Sequence, residues 1–196
     1  MIETPLFGRF MGEDKRLVFS APMPYHHLVR ASIGGGAGMM LIGLLAGATH
    51  ADAGPDPWWW MFFGLLVLLS GVAAMFSLTS ISFDLGERFY RRRQGPGMFS
   101  GLRVGKVSEL DALVLISEPN PAYMAGGVTY HLVLHWKGEA QPIMVLQQDT
   151  RMLPPGQPLN IGAHQLLAEG LKYAQAIGIP FFDNSHFASQ CPVPIW

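Results

Sequence analysis

The sequence predicts a membrane α-helical hairpin joined to an α+β or all-β domain, in which a small antiparallel sheet or barrel is closed by a C-terminal helix. Three observations predict it. Two uncharged apolar stretches, residues 31–51 and 58–83, follow one another across a short loop. Beyond them the pattern shifts to short alternating runs punctuated by glycine and proline. A helical period then returns near residue 162 and stops at Gly178 and Pro180.

Each apolar stretch is about twenty residues or longer, which at ~1.5 Å per residue matches a ~30 Å hydrocarbon core. The 196-residue chain has room for this hairpin and one compact domain of roughly a hundred residues. A formal net charge of −1 gives no basic excess that would point to nucleic acid. Cys191 is the single cysteine, which excludes an intrachain disulfide framework and a zinc site built on paired cysteines. The expected organisation is a leader over 1–29, a hairpin over 30–80 with spans at about 31–50 and 58–80, a domain over 81–183 and a tail over 184–196.

The leader is too mixed for a cleavable signal, which sets a short apolar core directly after a basic start. It carries Phe7, Phe10, Met11, Leu17, Val18 and Phe19 among Arg9, Lys15 and Arg16. It either lies along a membrane surface or packs on the domain.

Basic residues set the orientation. Arg9, Lys15, Arg16 and Arg30 precede the first span, and Arg88, Arg91, Arg92, Arg93, Arg103 and Lys106 follow the second. The loop between them holds Asp52, Asp56 and His50 but no lysine or arginine. The positive-inside rule therefore predicts a multi-pass membrane protein with both termini cytoplasmic and the loop outside. Trp58, Trp59 and Trp60 then mark the outer interface, where an indole buries its ring and keeps its N–H near water.

Within the first span, Gly34/Gly38 and Gly43/Gly47 have the four-residue spacing that lets helix backbones approach closely. These glycines either pack the hairpin against itself or offer a face to a helix of another protein. Neither span has an ionisable residue in its middle, which argues against transport by this chain alone.

After the spans, Asp84-Leu85-Gly86-Glu87 reads as a turn, followed by the basic run 88–93. Gln94-Gly95-Pro96-Gly97 is a second turn, and strands are expected around 99–104 and 112–117 before a break at Pro119-Asn120-Pro121. Over 128–136, Tyr130, Leu132, Leu134 and Trp136 alternate with Thr129, His131, Val133 and His135. Lys137-Gly138-Glu139 turns into a further strand over 143–147. A connection rich in proline (Pro154, Pro155, Pro158) leads to a helix over 162–177 whose stripe is Leu166, Leu167, Leu171, Ala174 and Ile177. Residues 181–196 hold too much proline and serine for a regular element.

The openings Ile81-Ser82-Phe83-Asp84 and Arg88-Phe89-Tyr90-Arg91, the approach Val107-Ser108-Glu109-Leu110, and the close Leu171, Ala174, Gly178-Ile179-Pro180 and Asp183 carry a resemblance. In this order, behind a hairpin, they resemble bacterial inner-membrane proteins with a pleckstrin-homology-like domain. The resemblance implies a bent antiparallel barrel with a C-terminal capping helix and a binding or scaffolding role; some relatives assist assembly of membrane complexes, photosynthetic ones included. It carries over no catalytic residue. The proline-rich connector departs from the family pattern and puts the end of the last strand in doubt.

Candidate chemistry is sparse. Arg88, Arg91, Arg92 and Arg93 follow the second span closely and are the expected anionic-lipid contact, each worth about 1 kcal/mol near an acidic surface. His131 and His135 lie over ~13 Å apart along one strand, too far to share a metal, and are expected on the solvent face. His26, His27 and His50 have no second axial partner for haem on the other span. Asp183 and His186 lack a nucleophile motif, and Ser185 and Ser189 lie in no elbow pattern. The sequence thus implies no catalytic centre, no metal and no cofactor. The expected function is a non-catalytic accessory or assembly subunit of a membrane protein complex, or alternatively a membrane-anchored sensor or regulator binding lipid or peptide.

Overall fold

In a computed structural model the described residues are 6–12, 15–49, 56–94, 101–120, 127–138, 143–154 and 157–188. They form two compact units, one holding the helical hairpin and the other the β-rich domain.

The hairpin consists of α1 (Met23–Thr49) and α2 (Pro57–Phe76). Asp56 caps α2, its carboxylate accepting the Trp58 backbone N–H at 3.1 Å, and Pro57 occupies the first turn, where a missing N–H costs nothing. At the other end the Ser77 hydroxyl donates to the Ala74 carbonyl at 2.7 Å, and Tyr25 Oη lies 3.3 Å from Ser77 Oγ. That contact ties the start of α1 to the end of α2.

What lets the helices meet is a line of glycine at seven-residue spacing. Val29, Gly36 and Gly43 are buried on α1, and Gly64 and Gly71 on α2. Seven residues are close to two full turns, so each set falls on one stripe. A Cβ built on Gly36 would stand 2.5 Å from the Leu68 backbone nitrogen, and one on Gly64 2.8 Å from the Gly36 carbonyl oxygen. On Gly43 it would stand 2.9 Å from the Pro57 carbonyl oxygen, and on Gly71 3.0 Å from the Ile33 nitrogen. These are contacts between backbones, which only glycine permits.

The four-residue pairs divide differently from the simplest expectation. Gly43 lies in the seam and a Cβ on Gly47 would meet Pro57 at an ordinary 3.8 Å, but Gly34 and Gly38 have open space where a side chain would begin. At ~100° per residue, positions two before or two after Gly36 lie on the far side of the helix. Which glycine of a dense run meets the partner is a matter of helix phase.

The β domain holds two sheets. The first is a five-stranded meander in chain order: β1 (Phe7–Met11), β2 (Arg16–Ser20), β3 (Thr79–Asp84), β4 (Phe89–Gln94) and β5 (Gly101–Lys106). The leader is therefore not a separate segment. Its residues form two strands, and β2 pairs antiparallel with β3, Leu17 opposite Phe83 and Phe19 opposite Ile81. All four of these side chains are fully buried. Of the apolar residues of the leader, read above as membrane-surface or domain-packing, Leu17 and Phe19 lie in the core with Phe10 packed against it, whereas Phe7 and Met11 are exposed.

The second sheet has the order β8 (Met144–Met152), β7 (Gly127–Trp136), β6 (Leu110–Pro119) and β9 (Phe181–Ala188). Strands β6, β7 and β8 pair antiparallel, while β9 joins the free edge of β6 in parallel. The start of the tail is thus a strand. Edge pairing overrides its composition: the Leu113 N–H donates to the Pro180 carbonyl at 2.9 Å, and Phe181 would meet any Cβ on Gly170 at 2.6 Å. Rather than a closed barrel, the described strands form two open sheets that share one core, with β9 parallel among otherwise antiparallel neighbours.

Between them lies α3 (His164–Ile177), with Leu166, Tyr173, Ala174 and Ile177 buried. Gly178 ends it in the left-handed conformation at φ 80°, its N–H bonded to the Ala174 carbonyl. Tyr173 packs edge-on against Phe19 of the first sheet at 5.0 Å, while Gly170 lies against Leu132 of the second. The turn Asp84-Leu85-Gly86-Glu87 joins β3 to β4 as expected, with the Glu87 N–H bonded to the Asp84 carboxylate at 3.1 Å. The expected turn at 94–97, beyond Gln94, lies outside the described residues, as do residues 189–196.

Substituting the seam gives a direct test. Gly36→Leu forces a side chain into the Leu68 backbone and is expected to lower stability by at least the ~1–3 kcal/mol typical of overpacking. Gly34→Leu, into open space, is expected to change it by under about 0.5 kcal/mol. Thermal unfolding of the two variants in detergent separates them; equal effects would contradict the seam.

Candidate functional site

Three groups of surface and buried residues carry the chemistry of this chain. The first is the outer surface of the hairpin. Both helices are long and apolar enough to cross a membrane, and only 17% and 11% of their most apolar windows is buried. Leu41, Ile42, Leu45, Phe62, Leu66 and Leu69 each expose half or nearly half of their surface. At the start of α2, Trp58, Trp59 and Trp60 are exposed by 73%, 57% and 36%. Trp59 stacks on Phe63 with centroids 5.7 Å apart, and Phe62 sits edge-on to both. The i, i+4 spacing of a helix brings those two stacked rings together.

The second is the basic run. Arg91 and Arg93 alternate outward along β4 and are exposed, whereas Tyr90 is fully buried and Arg92 half-buried between them. The Arg92 guanidinium lies 5.9 Å from the Trp136 ring centroid, a cation–π distance. Arg88 sits in the preceding turn at φ 57°, and its Nη2 would lie 2.9 Å from a Cβ on Gly178. That puts a cation beside the C-terminus of α3, where the helix dipole favours it. The four arginines close in sequence thus split: Arg91 and Arg93 are exposed along β4, Arg92 is half-buried near Trp136, and Arg88 is exposed beside Gly178 at the end of α3.

Near Arg92 a polar chain runs from the buried Trp136–Tyr90 pair out to the exposed Glu109. The Trp136 indole N–H donates to Tyr90 Oη at 3.1 Å, and Tyr90 Oη donates to Glu109 at 3.3 Å. The other oxygen of Glu109 accepts the Lys106 backbone N–H at 3.1 Å, closing a 3-10 turn over Val107–Glu109. This chain anchors β4 to β7 and so fixes which way Arg91 and Arg93 point.

The third group is on the second sheet. His135 is exposed beside Asp111 at 3.1 Å, as a solvent-face residue should be. His131 is not: its side chain is 14% exposed and lies 3.6 Å from Glu118. The reason is its place in the sheet. It sits mid-strand on β7, flanked by Ile116 of β6 and Gln148 of β8, so neighbours on both sides exclude water. Burial holds its pKa below the usual histidine value, with Glu118 partly opposing. Its Nδ1 is buried with no hydrogen-bond partner among the described residues.

Around β9, the Ser117 hydroxyl donates to the Ser185 carbonyl at 2.9 Å and the Ser185 N–H to Asp183 at 2.9 Å. Ser185 is fully buried, so its hydroxyl is inaccessible to a substrate. Asp183 and His186 are exposed, and Ser189 lies outside the described residues. A polar network missed by sequence reasoning links β8 to α3: Gln147 and Gln165 both donate to Glu169, at 2.7 and 3.1 Å, and Arg151 bridges Gln165 and Asp149. Its only sequence signal is the i, i+4 pair Gln165/Glu169. Among the described residues no three His, Cys, Asp or Glu side chains come together as a metal site.

No family model and no curated protein matches this chain.

The buried histidine makes a signed prediction. Because the folded state holds the His131 pKa down, the stability tied to its neutral form is fully present above the ordinary value near 6.5. It is lost as the pH falls below that value toward the folded pKa, since the unfolded chain takes up the proton first. Unfolding temperature is expected to drop over this interval in the parent and to drop less in His131→Gln. Parallel curves would show that another group is responsible.

Proposed function

We propose that this protein is a non-catalytic accessory or assembly subunit of a larger membrane protein complex. In this reading α1 and α2 cross a bacterial inner membrane, both termini are cytoplasmic, and the β domain is a pleckstrin-homology-like binding module. The observation that carries it is the uncovered circumference of the hairpin. The helices close on each other along one glycine seam, and large apolar side chains on both, among them Leu41, Leu45, Phe62 and Leu69, face outward. A core helix of a water-soluble protein is mostly covered by its neighbours; these are not.

In water that surface would cost about 25 cal/mol for every Å² exposed. Hydrocarbon or the helices of a partner remove the cost. Gly34 and Gly38 lie on the outward side with space above them, which suits close approach by a helix from another protein. The exposed tryptophans at the start of α2 fit the level of lipid headgroups on the outer side, and the basic residues flanking the hairpin fit the inner side.

Extraction of the native protein in a mild detergent, followed by native mass measurement, tests the reading. The expected outcome is a particle containing further membrane subunits, and Gly38→Leu is expected to release them without changing the unfolding temperature. Recovery of the chain only as a lone monomer would overturn it.

A further inference from the structure

We propose that the outer face of the first sheet is an anionic-lipid docking surface, built by the N-terminal strands together with β4. The inference rests on the bilayer reading above, and it assigns the surface to residues that the basic run alone does not contain.

The face follows from register. Phe19 and Ile81 point into the core, so Val18 and Ser82, opposite each other on β2 and β3, point outward. Arg9 pairs with Val18 on one side. On the other side the Ser82 hydroxyl reaches the Arg91 carbonyl at 3.5 Å, placing Arg91 across from Ser82. One row therefore reads Arg9, Val18, Ser82, Arg91 across four strands, about 14 Å from end to end at the usual strand spacing. Two residues along each strand, the same face carries Phe7 and Ser20 at one end with Arg93, and Met11, Arg16 and Phe89 at the other.

Its chemistry is uneven in a telling way. Arg16 is paired with Asp84 at 3.6 Å. Arg9, Arg91 and Arg93 are exposed and have no acidic partner among the described residues. Interleaved with them are Phe7, Met11 and Phe89, exposed by 42%, 56% and 37%. Guanidinium forks bind phosphate oxygens bidentately, and aromatic and thioether side chains settle at the boundary of headgroup and acyl chain. A flat face offering both at once is complementary to an acidic membrane surface. Connectivity supplies the concentration: β2 ends at Ser20 and α1 begins at Met23, while α2 ends at Phe76 and β3 begins at Thr79. A membrane-crossing hairpin tethers this sheet to lipid through two short links, making docking an intramolecular event.

Its cations are spread along the face rather than clustered, so it is expected to answer to surface charge rather than to one headgroup. The test uses the full chain in nanodiscs of phosphatidylcholine alone or with a third phosphatidylglycerol. A bimane is attached through Ser82→Cys, with Cys191→Ser removing the chain's other thiol, and nitroxide headgroup lipids serve as quenchers. Strong quenching is expected in the anionic discs and weak quenching in the zwitterionic ones. About 0.5 M salt should abolish the difference, because screening then acts within a few ångströms. Arg9→Gln, Arg91→Gln and Arg93→Gln should each weaken docking about fivefold. The three lysine replacements at these positions should retain most of it, showing that charge rather than fold is at stake.

Equal quenching in both disc types, or a triple glutamine variant that behaves like the parent, would overturn the proposal. So would a response to added oligonucleotide without lipid quenching, which would assign the face to nucleic acid. Failure of the chain to remain with the discs on flotation would instead sink the bilayer reading itself.

Discussion

Backbone contact between α1 and α2 is the constraint on which the rest of this molecule depends. The seam of Gly36, Gly43, Gly64 and Gly71 holds the start of α1 against the end of α2, where Tyr25 meets Ser77. Those two ends feed β2 and β3, which must lie side by side for the first sheet to exist. Closing a loop of nearly sixty residues costs entropy that grows only slowly with length, but it must be offset somewhere. The packed hairpin does so by converting a long flexible connection into a rigid one with its ends already together.

The β domain repeats the same logic on a smaller scale. The buried Trp136–Tyr90 hydrogen bond ties β4 to β7, the part-buried Tyr90–Glu109 bond ties β4 to the turn before β6, and Tyr173 of α3 reaches Phe19 across to the other sheet. Each joins elements distant in the chain. The outward residues of the first sheet inherit their direction from these inward ones, since every step along a strand reverses the face. Arg91 and Arg93 point out because Tyr90 is locked in.

Much of this was legible in the residues themselves. The Asp84–Glu87 turn, the alternation over 128–136 and the Gly178 stop of α3 are local signals whose elements lie where they put them, and the two apolar runs mark both helices, although α1 begins earlier, at Met23, and the end of the second run belongs to β3. What was not legible is non-local. Strands β1 and β2 gain their partner beyond the hairpin, and β9 becomes a strand only by lying along β6. The phase of α1 decides that Gly36 rather than Gly34 meets the neighbouring helix, and a run of consecutive glycines hides that phase. His131 and His135 share a face by periodicity, but their exposure differs because one sits mid-sheet and the other near a strand end. The basic run divides for a simpler reason: two-residue alternation along β4 separates Arg92 from Arg91 and Arg93.

The insertion of the hairpin between two paired strands has a topological corollary. A polypeptide that leaves a sheet and later rejoins it must finish on the side where it began, so any barrier it pierces in between must be pierced an even number of times. In a hairpin that crossed a membrane, losing one helix, or letting one lie flat, would strand β2 and β3 in different compartments and dissolve the first sheet. For a hairpin that crossed a membrane, an even number of crossings would thus be fixed by the hydrogen bonds between β2 and β3.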